Sequence, residues 1–211
     1  MIPELGQIAL LLALATSAVL GVLPLWGAAR GQVPWMALAR PAAYVHLALI
    51  AVAYALLTAS FVQLDFSVAY VADNTNRQLP LVYRVVGVWG GHEGSLLLWQ
   101  LIQAAWMAAL ARFSRSLPLP LVARSLAVLG WIATGFALFV LITSNPFTRQ
   151  SPVPLDGHDL NPLLQDPGMV VHPPLLYMGY VGFAVAFALA LGALLGGRLD
   201  AAWARWMRPW T

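Results

Sequence analysis

Residues 94–111 read GSLLLWQLIQAAWMAALA, eighteen positions without Asp, Glu, Lys or Arg, held between Glu93 and Arg112. About 20 such residues coiled as a helix cross the hydrocarbon core of a bilayer, because the helix satisfies its backbone polar groups internally. A membrane strand would instead alternate in polarity over about ten residues, and this stretch does not alternate. Four further apolar stretches flank it, at 5–29, 42–64, 125–148 and 173–197. The 211-residue chain is 61% hydrophobic and 9% charged, whereas a soluble domain carries about a quarter charged residues. The expected fold class is all-α: a polytopic membrane bundle of five transmembrane helices, forming one membrane domain over 1–211.

The charges between the spans predict the orientation. Arg30, Arg40, Arg112, Arg115, Arg124, Arg198, Arg205 and Arg208 fall in one alternating set of connections, and only Arg77, Arg84 and Arg149 fall in the other. Arginine marks the cytoplasmic side, so the amino terminus is expected outside and the carboxyl end in the cytoplasm. Glu4, Asp65, Asp73, Glu93, Asp156, Asp159 and Asp166 then lie outside, and Asp200 lies inside. The amino terminus has no basic residue before its apolar run and no small-residue cleavage site after it, which predicts a retained helix rather than a removable signal peptide.

The inner connections are short and basic; the outer ones, 65–93 and 149–172, are long. Connections beyond about 12–15 residues are usually functional or disordered, and the Trp, Tyr, Leu and Pro content here argues against disorder. Chemistry is therefore expected at the outer face. Cysteine is absent, which removes disulfides and thiolate ligands. No internal repeat appears and no span carries a charge in its core, features that weigh against an ion-coupled transporter. No phosphate loop or HExxH motif occurs. The arginines sit at membrane edges, where anionic lipid explains them without nucleic acid.

With no thiols, histidine is the main soft ligand available. His46 lies inside the second span and reads as a packing residue. His158, in LDGHDLN, reads as a loop residue beside Asp156 and Asp159. His172, in VVHPPLLYMGYVG, stands before Pro173 and Pro174, which are expected in the first turn of the fifth helix. It is either an interfacial cap or a pre-aimed metal or haem ligand. His92 and Glu93 stand in WGGHEGSLLLWQ, with Ser95 as the expected N-cap and Glu93 favoured by the helix dipole. Gly90, Gly91 and Gly94 exceed what a cap needs and would admit either a flat ligand or another loop. In the last span Gly179, Gly182, Ala186, Ala190 and Ala193 form a small-residue stripe, expected to be a helix-packing seam.

Three stretches, DFSVAYVADNTNRQLPLVYRVVGVWGGHEGS, DGHDLNPLLQDPGMVVHPPLLYMGYVGFAVAFA and GRLDAAWARWMRPWT, resemble the amino-terminal third of the CcmF family of cytochrome c maturation haem lyases. The related lyases of nitrite reductase maturation share these motifs. The resemblance implies an enzyme of the bacterial cytoplasmic (inner) membrane that joins haem to the CxxCH thiols of apocytochrome c on the periplasmic face. It implies haem as cofactor and His172, the histidine of HPP, as axial ligand of the haem iron. Trp89, Gly90, Gly91 and His92 become candidate haem contacts, and His92 and Glu93 candidate catalytic residues. The implied partners are the haem chaperone CcmE, CcmH-type apocytochrome-handling proteins, apocytochrome c and the remaining carboxyl-terminal part of the lyase. The family's tryptophan-rich haem segment, its second outer histidine and the ligands of a resident haem b are not in this sequence. The chain is thus expected to be one part of a longer or split protein, inactive alone. Two competing readings are a haem or solute transporter subunit and a non-catalytic scaffold completing a split membrane protein.

Overall fold

The computed structural model describes residues 1–197 and 201–210. Arg198 and Asp200, counted in the charge bias, lie outside the described residues. Five helices are long and apolar enough to cross a membrane. They are α1 (Ile2–Arg30), α3 (Ala39–Val62), α6 (His92–Phe113), α7 (Leu119–Thr143) and α8 (Pro167–Leu194). Short helices α2 (Val33–Ala37), α4 (Ala69–Asn74), α5 (Leu81–Gly87) and α9 (Ala201–Met207) fill the connections, and no strand occurs among the described residues.

All five long helices start before the expected bounds, α1 and α3 by three residues each, and the other three starts have local causes. α8 begins at Pro167, not Pro173, because the Asp166 carboxylate accepts from Gly168 N at 2.8 Å and Met169 N at 3.3 Å. An acceptor on orphan N–H groups, followed by Pro at the first helical position, is a strong helix start. Pro173 and Pro174 consequently sit in the second turn. α6 begins at His92, and Ser95 does not cap it: its hydroxyl lies within the helix and donates to Trp89 O at 2.8 Å. α7 begins at Leu119 rather than 125, because the Arg124 side chain leaves the span and donates to Ala28 O at 3.2 Å. Long basic side chains reach out of an apolar segment in this way.

α1 packs between α3 and α7, α6 closes against α3, and α8 lies on α7 and α6. Close approach of α1 and α7 depends on Gly130, where a Cβ would stand 2.8 Å from Gly21 N. Beside it the Thr134 hydroxyl donates to Ser17 Oγ at 3.0 Å. Small residues at a crossing and a hydrogen bond between helices are the usual means of association in lipid, where apolar burial drives little. His46 is packed as expected, with its Nδ1 3.0 Å from Ala13 O.

The two outer connections form a joint cap rather than two separate loops. Ala69 N–H donates to Thr148 O at 3.0 Å and Gln150 N–H to Ser67 O at 2.9 Å, around an antiparallel bridge of Val68 with Arg149. Further along, His158 N–H donates to Ala72 O at 2.7 Å and Arg77 N–H to Asp156 Oδ1 at 3.0 Å. Arg149 ties this cap to α1 through Glu4, and pairs with Asp65 at 3.3 Å. Leu79, Val86, Leu160 and Leu164 form a small apolar core beneath it.

Candidate functional site

The WGGHEG turn is built around a residue that the sequence did not single out. Tyr70 of α4 is buried; its hydroxyl donates to Val88 O at 3.1 Å and accepts from Gly91 N at 2.9 Å. Burial pushes the Tyr70 phenol well above the ordinary tyrosine range, so it remains a donor. A Cβ on Gly91 would lie 2.7 Å from the Tyr70 ring, and one on Gly94 would overlap the Val88 carbonyl. A Cβ on Gly90 would lie 2.8 Å from Leu160 Cδ1 of the other outer connection. Of the two occupants the glycines could admit, the structure places loop side chains against them. Trp89 is half-buried, and its indole N–H is buried without a hydrogen-bond partner among the described residues.

His92 is exposed at the first position of α6. Its Nδ1 lies 3.2 Å from Ser144 Oγ, and its ring meets Phe139 edge-on at 6.4 Å. Glu93, one position on, is half-buried and makes no hydrogen bond or ion pair among the described residues. His158 is exposed, with its Nδ1 3.5 Å from Asp73 Oδ1; the Asp156 carboxylate instead accepts from the backbone at Arg77 and Gly157.

His172 stands apart from all of these on α8. It is exposed and has no hydrogen-bond, ion-pair or ring partner among the described residues. Pro173 and Pro174, just below it, cannot donate to the carbonyls of Met169 and Val170, and their rings fix φ. The imidazole therefore rests on a backbone with reduced freedom. Positions four, seven and eleven residues on share its helix face: Leu176 and Phe183 are 48% and 67% exposed, and a Cβ on Gly179 would meet nothing within 4 Å. An unpartnered imidazole thus tops an open apolar strip.

This arrangement corrects the expected seam at its outer end, while Ala193 of that stripe is buried as expected. Gly179 faces open space, while α8 buries Val181, Val185, Ala188, Leu189, Gly192 and Ala193. Gly182 does pack, against the Trp106 ring at 3.3 Å. On the neighbouring face Trp99 of α6 stacks on Phe136 of α7, with centroids at 5.6 Å and planes 8° apart, and meets Tyr177 and Tyr180 of α8 at 5.3 and 6.3 Å. That aromatic knot, which no local sequence pattern announces, locks the Tyr177–Tyr180 part of α8 to the bundle. The YMGY spacing puts two tyrosines on one helix face, and only the fold sets a tryptophan opposite them.

No group of three or more His, Asp or Glu capable of holding a metal ion occurs among the described residues. The geometry therefore offers single histidine donors, each from its own element: His172 free, His92 engaged with Ser144. A lone imidazole above an apolar wall suits one side of a flat metallated ring, and no described residue covers it.

A family model described as Cytochrome C assembly protein matches residues 89–211. The chain is 63% identical over 212 residues to the cytochrome c-type biogenesis protein CcmF of Pseudomonas aeruginosa, covering all of this chain and 32% of that protein. It is 55% identical to CcmF of Escherichia coli (all of this chain, 33% of the relative) and 45% identical to NrfE of Haemophilus influenzae with the same coverage. A solved structure described as cytochrome c haem lyase CcmF superposes with a TM-score of 0.83 at 29% identity, covering all of this chain and 33% of its own. The chain spans about a third of the length of the relatives it matches.

Proposed function

The chain belongs to the cytochrome c assembly protein family, and from that premise we propose that it is part of a haem lyase acting on apocytochrome c at the periplasmic face. In that reaction each thiol of a CxxCH segment adds across one haem vinyl group: a C–S bond forms, the S–H proton goes to the vinyl carbon, and nothing leaves. Such an addition depends on holding the ring edge against two thiols, an effect of placement more than of acid–base chemistry. The observation that carries this reading is His172, exposed and unpartnered on a proline-stiffened turn above the open strip of Leu176, Gly179 and Phe183.

In this reading the His172 imidazole holds the haem iron from one side, and the strip gives the ring an apolar wall. The Tyr70-braced WGGHEG turn keeps Trp89 and His92 at the same face of the membrane as supporting contacts. Apocytochrome c, the haem chaperone CcmE, CcmH-type proteins and the further two-thirds present in the relatives supply what one histidine cannot. The location proposed is the bacterial inner membrane, with the His172 end outward. Arginines Arg30, Arg40, Arg112, Arg115 and Arg124 gather at the opposite end, in keeping with a cytoplasmic side.

Replacing His172 with Ala in the full-length protein is expected to abolish holocytochrome c while leaving the amount of inserted protein unchanged. Imidazole added to the medium is expected to restore part of the yield, because it refills the axial position. His92→Ala is expected to give a weaker defect. A wild-type yield of haem-stained cytochrome from His172→Ala overturns the ligand assignment.

A further inference from the structure

At the end of the bundle opposite His172 lies a cavity of about 270 Å³, bounded by the start of α7, the end of α8 and the short helix α9. Its walls include Arg124, Pro120, Leu121, Gly196, Trp203 and Trp206, and among the described residues no acidic one lines it. Arg124 makes a single hydrogen bond among the described residues, from Nη2 to Ala28 O at 3.2 Å. A guanidinium carries five N–H donors, so four stay open on the side where its Nη1 approaches Gly196. A residue serving only to cap the carbonyl end of α1 would not need to border a cavity.

The rest of the wall is built for a membrane surface. Along α9 and the 3-10 turn Arg208–Trp210 that follows it, Trp203, Trp206, Met207 and Trp210 recur at three- and four-residue spacing, while Arg205 and Arg208 are exposed. Met207 and Trp210 pack against the main core, and Trp203 Nε1 donates to Leu189 O at 3.4 Å, tying α9 to α8. Tryptophans settle at the headgroup level, where an amphipathic helix lies flat. The cavity thus sits where headgroups are, with a cation on one side and apolar and aromatic surface on the other.

We propose that this cavity binds the headgroup of an anionic glycerophospholipid. The phosphate takes the open N–H groups of Arg124, a charge-assisted contact. The acyl chains leave past Leu121 and Trp206 into the bilayer. A zwitterionic headgroup would bring an ammonium group that no described wall residue can pair, whereas a net negative lipid adds no second cation beside Arg124. The cavity is rather small for a whole drug-sized ligand, as expected when only a headgroup enters. This site is independent of the haem reading, and either can fail without the other.

The test uses the full-length protein in nanodiscs of phosphatidylglycerol mixed with phosphatidylcholine, stripped with detergent and weighed intact by native mass spectrometry. Wild type is expected to retain phosphatidylglycerol preferentially. Arg124→Gln and Trp206→Ala are expected to lower that retention at least fivefold. Arg115→Gln makes the same charge change on an exposed connection and is expected to leave retention unchanged. Trp206, unlike Met207 and Trp210, does not pack against the main core, so its variant reports on the cavity even if Arg124→Gln fails to fold. Equal retention by Trp206→Ala and wild type, or equal retention of the two lipids, overturns the proposal. Displacement of the bound mass by millimolar inorganic phosphate would mark a free-anion site and overturns it too.

Discussion

Tyr70→Phe strips the Val88 carbonyl of one donor and the Gly91 N–H of its acceptor, while leaving the ring in place against Gly91 and Gly94. An unsatisfied buried polar group costs about 1–3 kcal/mol. The expected outcome is a lower thermal midpoint in detergent and faster amide exchange across residues 87–95. An unchanged exchange pattern would show that the hydroxyl does not brace the turn. The sequence exposed Gly90, Gly91, Gly94 and His92 because they are unusual in an apolar chain, and it offered His172 through its two prolines. It could not expose Tyr70: the Tyr70–Gly91 bond joins positions 21 residues apart, and a single tyrosine has no local pattern. Nor could it choose between a flat ligand and a loop as the occupant beside the glycines. The leucines that fill the space at Gly90 come from Leu160 and Leu164 in the other connection, and only the folded chain brings them there.

For the helices, membrane-spanning length was legible from uninterrupted apolar runs, and the ends were not. A charge does not bound a span by itself: α7 runs through Arg124 because the side chain, not the backbone, leaves the span. The rule that proline favours a first turn points to Pro173 as the start of α8. Asp166-Pro167 satisfies the same rule six residues earlier and adds a side-chain acceptor, so it prevails. This shift puts His172 inside the helix, where its direction is set by the turn that Asp166 holds. Removing an N-cap carboxylate costs about 1 kcal/mol. Asp166→Ala is therefore expected to fray the turn that bears His172 and to reduce holocytochrome yield severalfold, with Asp166→Asn restoring it. Equal yields from Ala and Asn variants would place the role of Asp166 elsewhere.

At the scale of the molecule, the absence of cysteine allows an unclouded test of orientation. Leu155, 91% exposed in the outer cap, and Ser116, exposed between α6 and α7, lie at opposite ends. Leu155→Cys is expected to react with a membrane-impermeant maleimide in intact spheroplasts, and Ser116→Cys only after lysis. The reverse pattern would invert the bundle. The five-helix architecture was readable from composition, since apolar runs of that length have few other fates. The pairing of the two outer connections was not, because it is made of backbone contacts between distant segments. That pairing has a consequence in time. Asn76 and Asp159 meet across 83 residues, and a ribosome adding 5–20 residues per second takes roughly 4–17 s to make that interval. Through much of that interval the hairpin of α1 and α3 lacks the second connection, and the bed for Leu160 at Leu79, Val86 and Gly90 lies uncovered. A holding factor there would have its best opportunity then, before the second connection arrives to close it.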